Sequence, residues 1–270
     1  MIKQHLAGKR IAITGSTGFL GTALVELLLR EIPDVELVLL IRSERRSAAR
    51  RIERDILHND AFSTLRSTIG KEKFDALTKN QIVPISADIS KDDLGLDSDG
   101  LATLQTCDIV IHSAASVSFD EPLDRAVEVN LMGPVRLVET LKKLNIAPHL
   151  VMVSTCYVAG SRKGDAPELP LIDSPFYVPV DWNDETNAAR RTRSYVEDDS
   201  RRPNNLKEFR ENAVSELGAA GTPAIASKTE TLRQRWVKDQ MVDAGRNRAN
   251  SLGFPDAYTF TKAMAEQAVE

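Results

Sequence analysis

The chain has 270 residues, 42% hydrophobic and 27% charged, and its 35 basic and 39 acidic residues leave a net charge of −4. That balance is typical of a globular domain and excludes a collagen-like fibre, a disulfide scaffold and the basic excess of a nucleic-acid binder. No apolar run approaches the length of a membrane span, MIKQHLAGKR has no signal core, and two cysteines (Cys107, Cys156) with four scattered histidines make no metal-ligand cluster, so a cytoplasmic protein with reduced thiols is expected.

In chain order, strand and helix signals alternate. Residues 10–14 (RIAIT) read as a first strand, and 18–30 as a helix with Leu20, Leu24, Leu27 and Leu28 on one face. Residues 35–42 (VELVLLIR) are almost unbrokenly apolar, as in a strand covered on both faces. A charged helical stretch covers 44–60, strands follow at 81–86 and 108–112, a helix at 125–144, and a fifth strand at 149–154. This alternation predicts parallel βαβ units in an α/β, doubly wound sheet of Rossmann type.

The pattern changes after Gly160. Residues 161–179 are proline-rich and loop-like. From 181 to 250 basic and acidic residues nearly balance, and the apolar stripe is thin: Leu206, Phe209, Val214, Leu217, Leu232, Trp236, Val237 and Met241. Amphipathic helices on a larger domain fit this pattern, and so does a disordered insert. Pro255 and Asp256 then open a helix over 258–270. The sequence stops inside it, which predicts truncation before a further strand. The expected division is a nucleotide-binding domain of 1–160 with 253–270, interrupted by a helical or partly disordered insertion or cap at 161–252.

Five features carry chemistry. TGSTGFLG (14–21) stands between the first strand and the first helix. There glycines let the backbone approach a pyrophosphate that faces a helix N-terminus. At the end of the second strand, where an NAD site carries a carboxylate, stands Arg42, followed by Arg45 and Arg46. A guanidinium suits a 2′-phosphate, which favours NADPH, although Arg45 and Arg46 also read as a solvated basic turn. Ser86-Ala87-Asp88-Ile89 follows the third strand, and Asp88 reads either as a partner of the adenine amino group or as a cap. After the fourth strand comes His112-Ser113-Ala114-Ala115. Its small residues would let a nucleotide lie against the backbone, and His112 reads as packed rather than catalytic. The fifth feature joins Ser154 and Thr155, after the fifth strand, with Asn130, Tyr258 and Lys262. Tyr258 and Lys262 are four apart and share a helix face. A phenol there can act as general acid toward a carbonyl oxygen, beside an ammonium able to hold a nicotinamide ribose.

Together these residues resemble the extended short-chain dehydrogenase/reductase family, through TGSTGFLG and Tyr258-x-x-x-Lys262. The details are most similar to the fatty acyl-CoA reductases with their male-sterility-type domain: HSAASVSFDEPL (112–123), VNLMGPVRLVE (129–139), VSTCYVAG (153–160) and PDAYTFTKAMAEQ (255–267). The resemblance covers most of 8–160 and 253–270. It implies that Gly15, Thr17, Gly18, Phe19, Leu20 and Gly21 cradle the pyrophosphate and that Arg42 reads the 2′-phosphate. Asp88, Ile89, Ala114, Ala115 and Asn130 would complete the nucleotide site. Thr155, Tyr258 and Lys262 would be the catalytic set, with Tyr258 and Lys262 also touching cofactor and Ser154 as a second candidate for the hydroxyl.

The implied activity is NADPH-dependent reduction of a long-chain fatty acyl-CoA to aldehyde or alcohol, by a protein without a transmembrane segment but compatible with peripheral membrane contact. Competing readings are reduction of carrier-bound acyl groups, a nucleotide-sugar epimerase or dehydratase, and a non-catalytic NADP sensor. The 103 positions between Thr155 and Tyr258 and the YTFTKA run argue against the sugar enzymes, and the intact Tyr-Lys pair against the sensor. Arginine patches at 190–193 and at Arg233 with Arg235 read as contacts for CoA phosphates or as a solvated surface.

Overall fold

The computed structural model describes residues 2–43, 47–175, 177–218 and 221–270. Arg45 and Arg46 therefore lie outside the described residues. The elements run α1 (Ile2–Leu6), β1 (Arg10–Thr14), α2 (Phe19–Glu31), β2 (Glu36–Ile41), α3 (Ala48–Ile52), α4 (Ser63–Ile69), α5 (Lys71–Gln81), β3 (Ile82–Ser86), α6 (Ser98–Gln105), β4 (Ile109–His112), α7 (Leu123–Ala126), α8 (Met132–Lys143), β5 (His149–Met152), α9 (Trp182–Ser200), α10 (Pro203–Leu217), α11 (Thr222–Ser251) and α12 (Ala257–Val269). One-turn π segments, Glu53–Leu57 and Val127–Leu131, follow α3 and join α7 to α8. The chain forms two compact units, residues 1–115 with 132–154 and residues 116–131 with 155–268; Val269 groups with the first and Glu270 with the second.

The first unit is a five-stranded sheet of order β3-β2-β1-β4-β5 with every neighbouring pair parallel. Alternate residues of a strand face opposite sides of a sheet, and both sides are covered here. Ile11, Ile13, Leu37, Leu39 and Ile41 join Val25, Leu28 and Phe62 in one core. Ala12, Val38, Leu40 and Val110 join Leu104, Leu137 and Leu141 in the other. This is why β2 reads as an unbroken apolar run. The strand order reverses between β1 and β4, and in such sheets ligands bind beyond the C-terminal strand ends at that point. Register places Thr14 beside both Leu40 and His112, and Ile41 beside Ser86, so the motif-bearing turns leave from one edge. The helix expected from 44 starts at Ala48, where the Ser47 hydroxyl accepts the Arg50 N–H at 3.4 Å.

In the second unit α9, α10 and α11 fill most of 181–251 with helix. Asp181 caps α9 by accepting the N–H groups of Asn183 and Asp184 at 2.8 and 2.9 Å, and α10 and α11 each carry proline in the first turn, where its missing N–H costs nothing. Their buried apolar side chains are Ala189, Val196, Phe209, Ala213, Val237, Met241 and Ala249, with Phe209 and Trp236 in ring contact at 6.0 Å. Leu206, Val214 and Leu217 of the expected stripe are exposed.

Several arginines of these helices form ion pairs within the unit. Arg190 pairs with Glu128 at 2.7 Å and Arg193 with Asp124 at 3.4 Å and Glu197 at 2.8 Å. Arg246 pairs with Asp120 at 3.2 Å, and Arg248 with Glu185. Arg233 is buried and donates to Glu230, Glu197 and Ser200. Arg233 is thus buried and paired, at odds with a solvated surface, whereas Arg190 and Arg193 pair with carboxylates while their side chains stay open to solvent, as the solvated-surface reading expects. No helix among the described residues is long and apolar enough to cross a membrane.

Candidate functional site

The first unit supplies the glycine turn between β1 and α2. Gly15 has φ +74°, and a Cβ there would lie 2.5 Å from the Ala114 nitrogen. At Gly21 a Cβ would fall on the Gly15 carbonyl oxygen and the Ser16 Cα. Gly18, whose nitrogen donates to Gly15 O at 3.0 Å, is the N-cap of α2 and brings no side chain to the helix end. The Thr22 hydroxyl donates to Ser16 O at 3.0 Å and fixes the loop on its helix. Thr17 is half-buried in the turn, and Phe19 and Leu20 in the first turn of α2 are exposed, Phe19 by 97%. A bare backbone cradle at a helix N-terminus fits a pyrophosphate.

The turn after β4 is tied to this loop. The Thr14 hydroxyl accepts the Ala114 N–H at 3.2 Å and meets His112 Nδ1 at 2.9 Å, while the Ser113 hydroxyl donates to Thr14 O at 2.8 Å. His112 is thus packed at the β1–β4 switch point, and Ala114 and Ala115 continue from it past the glycine turn.

Beyond β2, Arg42 is exposed and Arg51 of α3 donates to its carbonyl oxygen. The Ser43 and Ser86 hydroxyls meet at 2.7 Å and join the β2 and β3 exits. Asp88 Oδ1 accepts both the N–H and the hydroxyl of Ser90, at 3.0 and 2.7 Å, so it caps its own turn. Burial alone would raise its pKa; Ser90 and the nearby charges of Arg42 and Lys91 outweigh this and hold the carboxyl below the ordinary aspartate range. Ile89 packs on Gly133 of α8, where a Cβ would come within 3.1 Å of its Cδ1.

Ser154 ends the first unit, and its buried Oγ has no hydrogen-bond partner among the described residues. Thr155 opens the following segment of the second unit and caps the turn Cys156–Ala159, its Oγ1 accepting the Tyr157 N–H at 3.3 Å. Of the two neighbouring hydroxyls, the threonine already shapes the backbone, whereas the serine has an unused donor.

The second unit carries Tyr258 and Lys262 on α12. Asp256 caps this helix by accepting the Thr259 N–H at 2.8 Å, which places Tyr258 in the first turn. Tyr258 is half-buried and Lys262 only 2% exposed. Burial pushes the lysine pKa below its ordinary range, and the Glu266 carboxylate opposes that shift. Asn130 lies in the π turn, a helix irregularity often found at functional positions. Its Oδ1 accepts the Ser116 N–H at 2.8 Å, and its Nδ2 donates to Ser116 O at 3.0 Å and to the Thr261 hydroxyl at 3.3 Å. The Thr261 hydroxyl in turn reaches the carbonyl oxygens of Ala257 at 2.7 Å and Tyr258 at 3.1 Å. Asn130 is therefore a clamp on two segments, with both amide ends engaged.

Two participants escape the sequence reading. Thr261 is 131 positions from Asn130, and Phe119 meets the Tyr258 ring edge to face at 5.9 Å and 79°. The SFDEP run signals the second only as part of a family pattern; nothing local signals the first.

A model of the male sterility protein family matches residues 13–270. Among curated relatives, fatty acyl-CoA reductase 1 of Arabidopsis thaliana is 33% identical, covering 97% of this chain and 48% of its own, and fatty acyl-CoA reductase 8 of the same plant is 31% identical with the same two shares. The chain thus spans about half the length of these relatives. Among solved structures, the terminal R domain from the myxalamid PKS-NRPS biosynthetic pathway is 26% identical, covering 73% of this chain and 47% of its own, with a TM-score of 0.48.

Proposed function

The chain belongs to the male sterility protein family, and from that premise we propose that it takes part in NADPH-dependent reduction of long-chain fatty acyl-CoA thioesters to fatty aldehyde or alcohol. Its relatives named as fatty acyl-CoA reductases support the substrate class. The observation that carries the chemistry is the Tyr258–Lys262 pair on one turn of α12, with the lysine buried.

The nicotinamide, when bound, supplies hydride to the thioester carbonyl carbon. The residues of this chain do the rest. Gly15, Thr17, Gly18, Phe19, Leu20 and Gly21 hold the pyrophosphate; a side chain at Gly15 or Gly21 would occupy space the backbone already fills. Arg42 pairs with the 2′-phosphate, and Asp88, Ile89, Ala114 and Ala115 line the nucleotide. Lys262 holds the nicotinamide ribose through its ammonium. Tyr258 gives its phenolic proton to the carbonyl oxygen as hydride arrives, and a hydroxyl from Thr155 or Ser154 orients that oxygen. The hemithioacetal then releases the thiol and leaves an aldehyde; going on to the alcohol would take a second NADPH, exchanged for the spent cofactor, and a second proton.

Incubating the full-length protein with NADPH and palmitoyl-CoA and identifying the products by mass spectrometry tests the reading. Fatty aldehyde with one NADPH consumed per molecule, or alcohol with two, is expected; turnover of nucleotide sugars with no thioester reduction would overturn it.

A further inference from the structure

The SFDEP run has no part in the chemistry above, yet residues 116–121 form a strap tied at both ends. Its start is held by the Asn130 amide, which binds both backbone groups of Ser116. Its end is held by Glu121, which accepts the Ser116 hydroxyl and pairs with Arg125 at 3.0 Å, and by Asp120, which pairs with Arg246 of α11 at 3.2 Å. Between these ties Phe119 is 58% exposed. A large aromatic left so open contributes little to a core; its ring contact is with Tyr258, edge to face.

Tyr258 is half-buried and stands in the first helical turn, where backbone geometry leaves more than one staggered side-chain position open. Ring packing is then what selects the direction of the phenol. The same Asn130 that holds the strap also holds Thr261, three residues after Tyr258. Strap and helix are thus referred to one buried side chain, and the two rings keep a fixed register.

Resting on the reading of Tyr258 as proton donor, we propose that Phe119 is a positioning residue that holds the phenol in its productive orientation. It acts through Tyr258 and not on the nucleotide. Displacing a catalytic group by about 1 Å can cost on the order of a hundredfold in rate.

The test compares Phe119→Leu, which keeps an apolar side chain and loses the ring, with Phe119→Tyr, which keeps the ring, each in the full-length protein and each also combined with Tyr258→Phe. With palmitoyl-CoA and NADPH, Phe119→Leu should lower kcat by roughly tenfold or more while the KM for NADPH stays unchanged, and Phe119→Tyr should stay close to the parent. In the Tyr258→Phe background, Phe119→Leu should cost nothing further, because the two side chains act as one unit. An unaffected kcat in Phe119→Leu beside a disabled Tyr258→Phe would overturn the positioning role alone, as would an equal loss in both backgrounds. Full activity of Tyr258→Phe would overturn the catalytic reading and the positioning role with it.

Discussion

If Arg42 is the 2′-phosphate ligand, as proposed, a charge-assisted contact worth about 1.5–3 kcal/mol is at stake. Arg42→Asp should weaken NADPH binding by roughly tenfold or more and leave NADH binding nearly unchanged, measured by fluorescence titration; equal affinity of the unmutated protein for the two cofactors would contradict the assignment. Lys262 gives a pH signature. Its folded pKa is lowered by burial, so between that value and the ordinary lysine value the unfolded chain binds more protons and stability rises with pH. In the same window the ammonium is lost, so the alkaline limb of activity should fall below the ordinary lysine range. Glu266→Gln removes the charge that opposes the shift and should move this limb to still lower pH; a limb that stays in place or rises would exclude Lys262 as its origin.

At the scale of elements, the strand exits and the α2 start were legible because each leaves a local mark: an apolar run, then glycine, arginine or small residues. Gly15→Ala would add strain of about 1–3 kcal/mol at a positive φ and press a methyl against the Ala114 backbone. It should lower the melting temperature and abolish NADPH binding; unaltered binding would show that the turn does not cradle the cofactor. The inserted helices were less legible. Their packing uses Ala189, Ala213 and Ala249, and Gly245 sits where a Cβ would come within 3.1 Å of Ala257 and 3.4 Å of Leu123. Small residues allow close helix contact without drawing an apolar stripe, so Leu206 and Leu217 drew attention although they face out. Near Arg193 of α9, burial raises the pKa of Asp124, which the arginine and the Arg125 and Asp124 backbone N–H groups only partly offset. Stability from such a group is full below its unfolded pKa and falls as pH rises through the folded one. Asp124→Asn should therefore raise the melting temperature near pH 7 and leave it unchanged near about pH 3, where the native carboxyl is neutral. A lower melting temperature at pH 7 would show that the pair with Arg193 dominates.

For the whole molecule, the doubly wound sheet and the male-sterility-type relationship followed from short motifs, whereas the Asn130–Thr261 clamp joins residues 131 positions apart, a pairing that only the folded chain brings together. The division into a sheet unit and a largely helical unit likewise depends on residues 116–131 grouping with 155–268, a long-range choice that periodicity does not encode. The reductase reading depends above all on Tyr258 delivering a proton to an acyl carbonyl, and removing that hydroxyl while keeping the ring is the most direct measurement. In full-length protein with NADPH and palmitoyl-CoA, Tyr258→Phe should retain NADPH affinity and lose about 10²–10⁴-fold in kcat. Near-normal turnover by that variant would contradict the assignment of the proton donor.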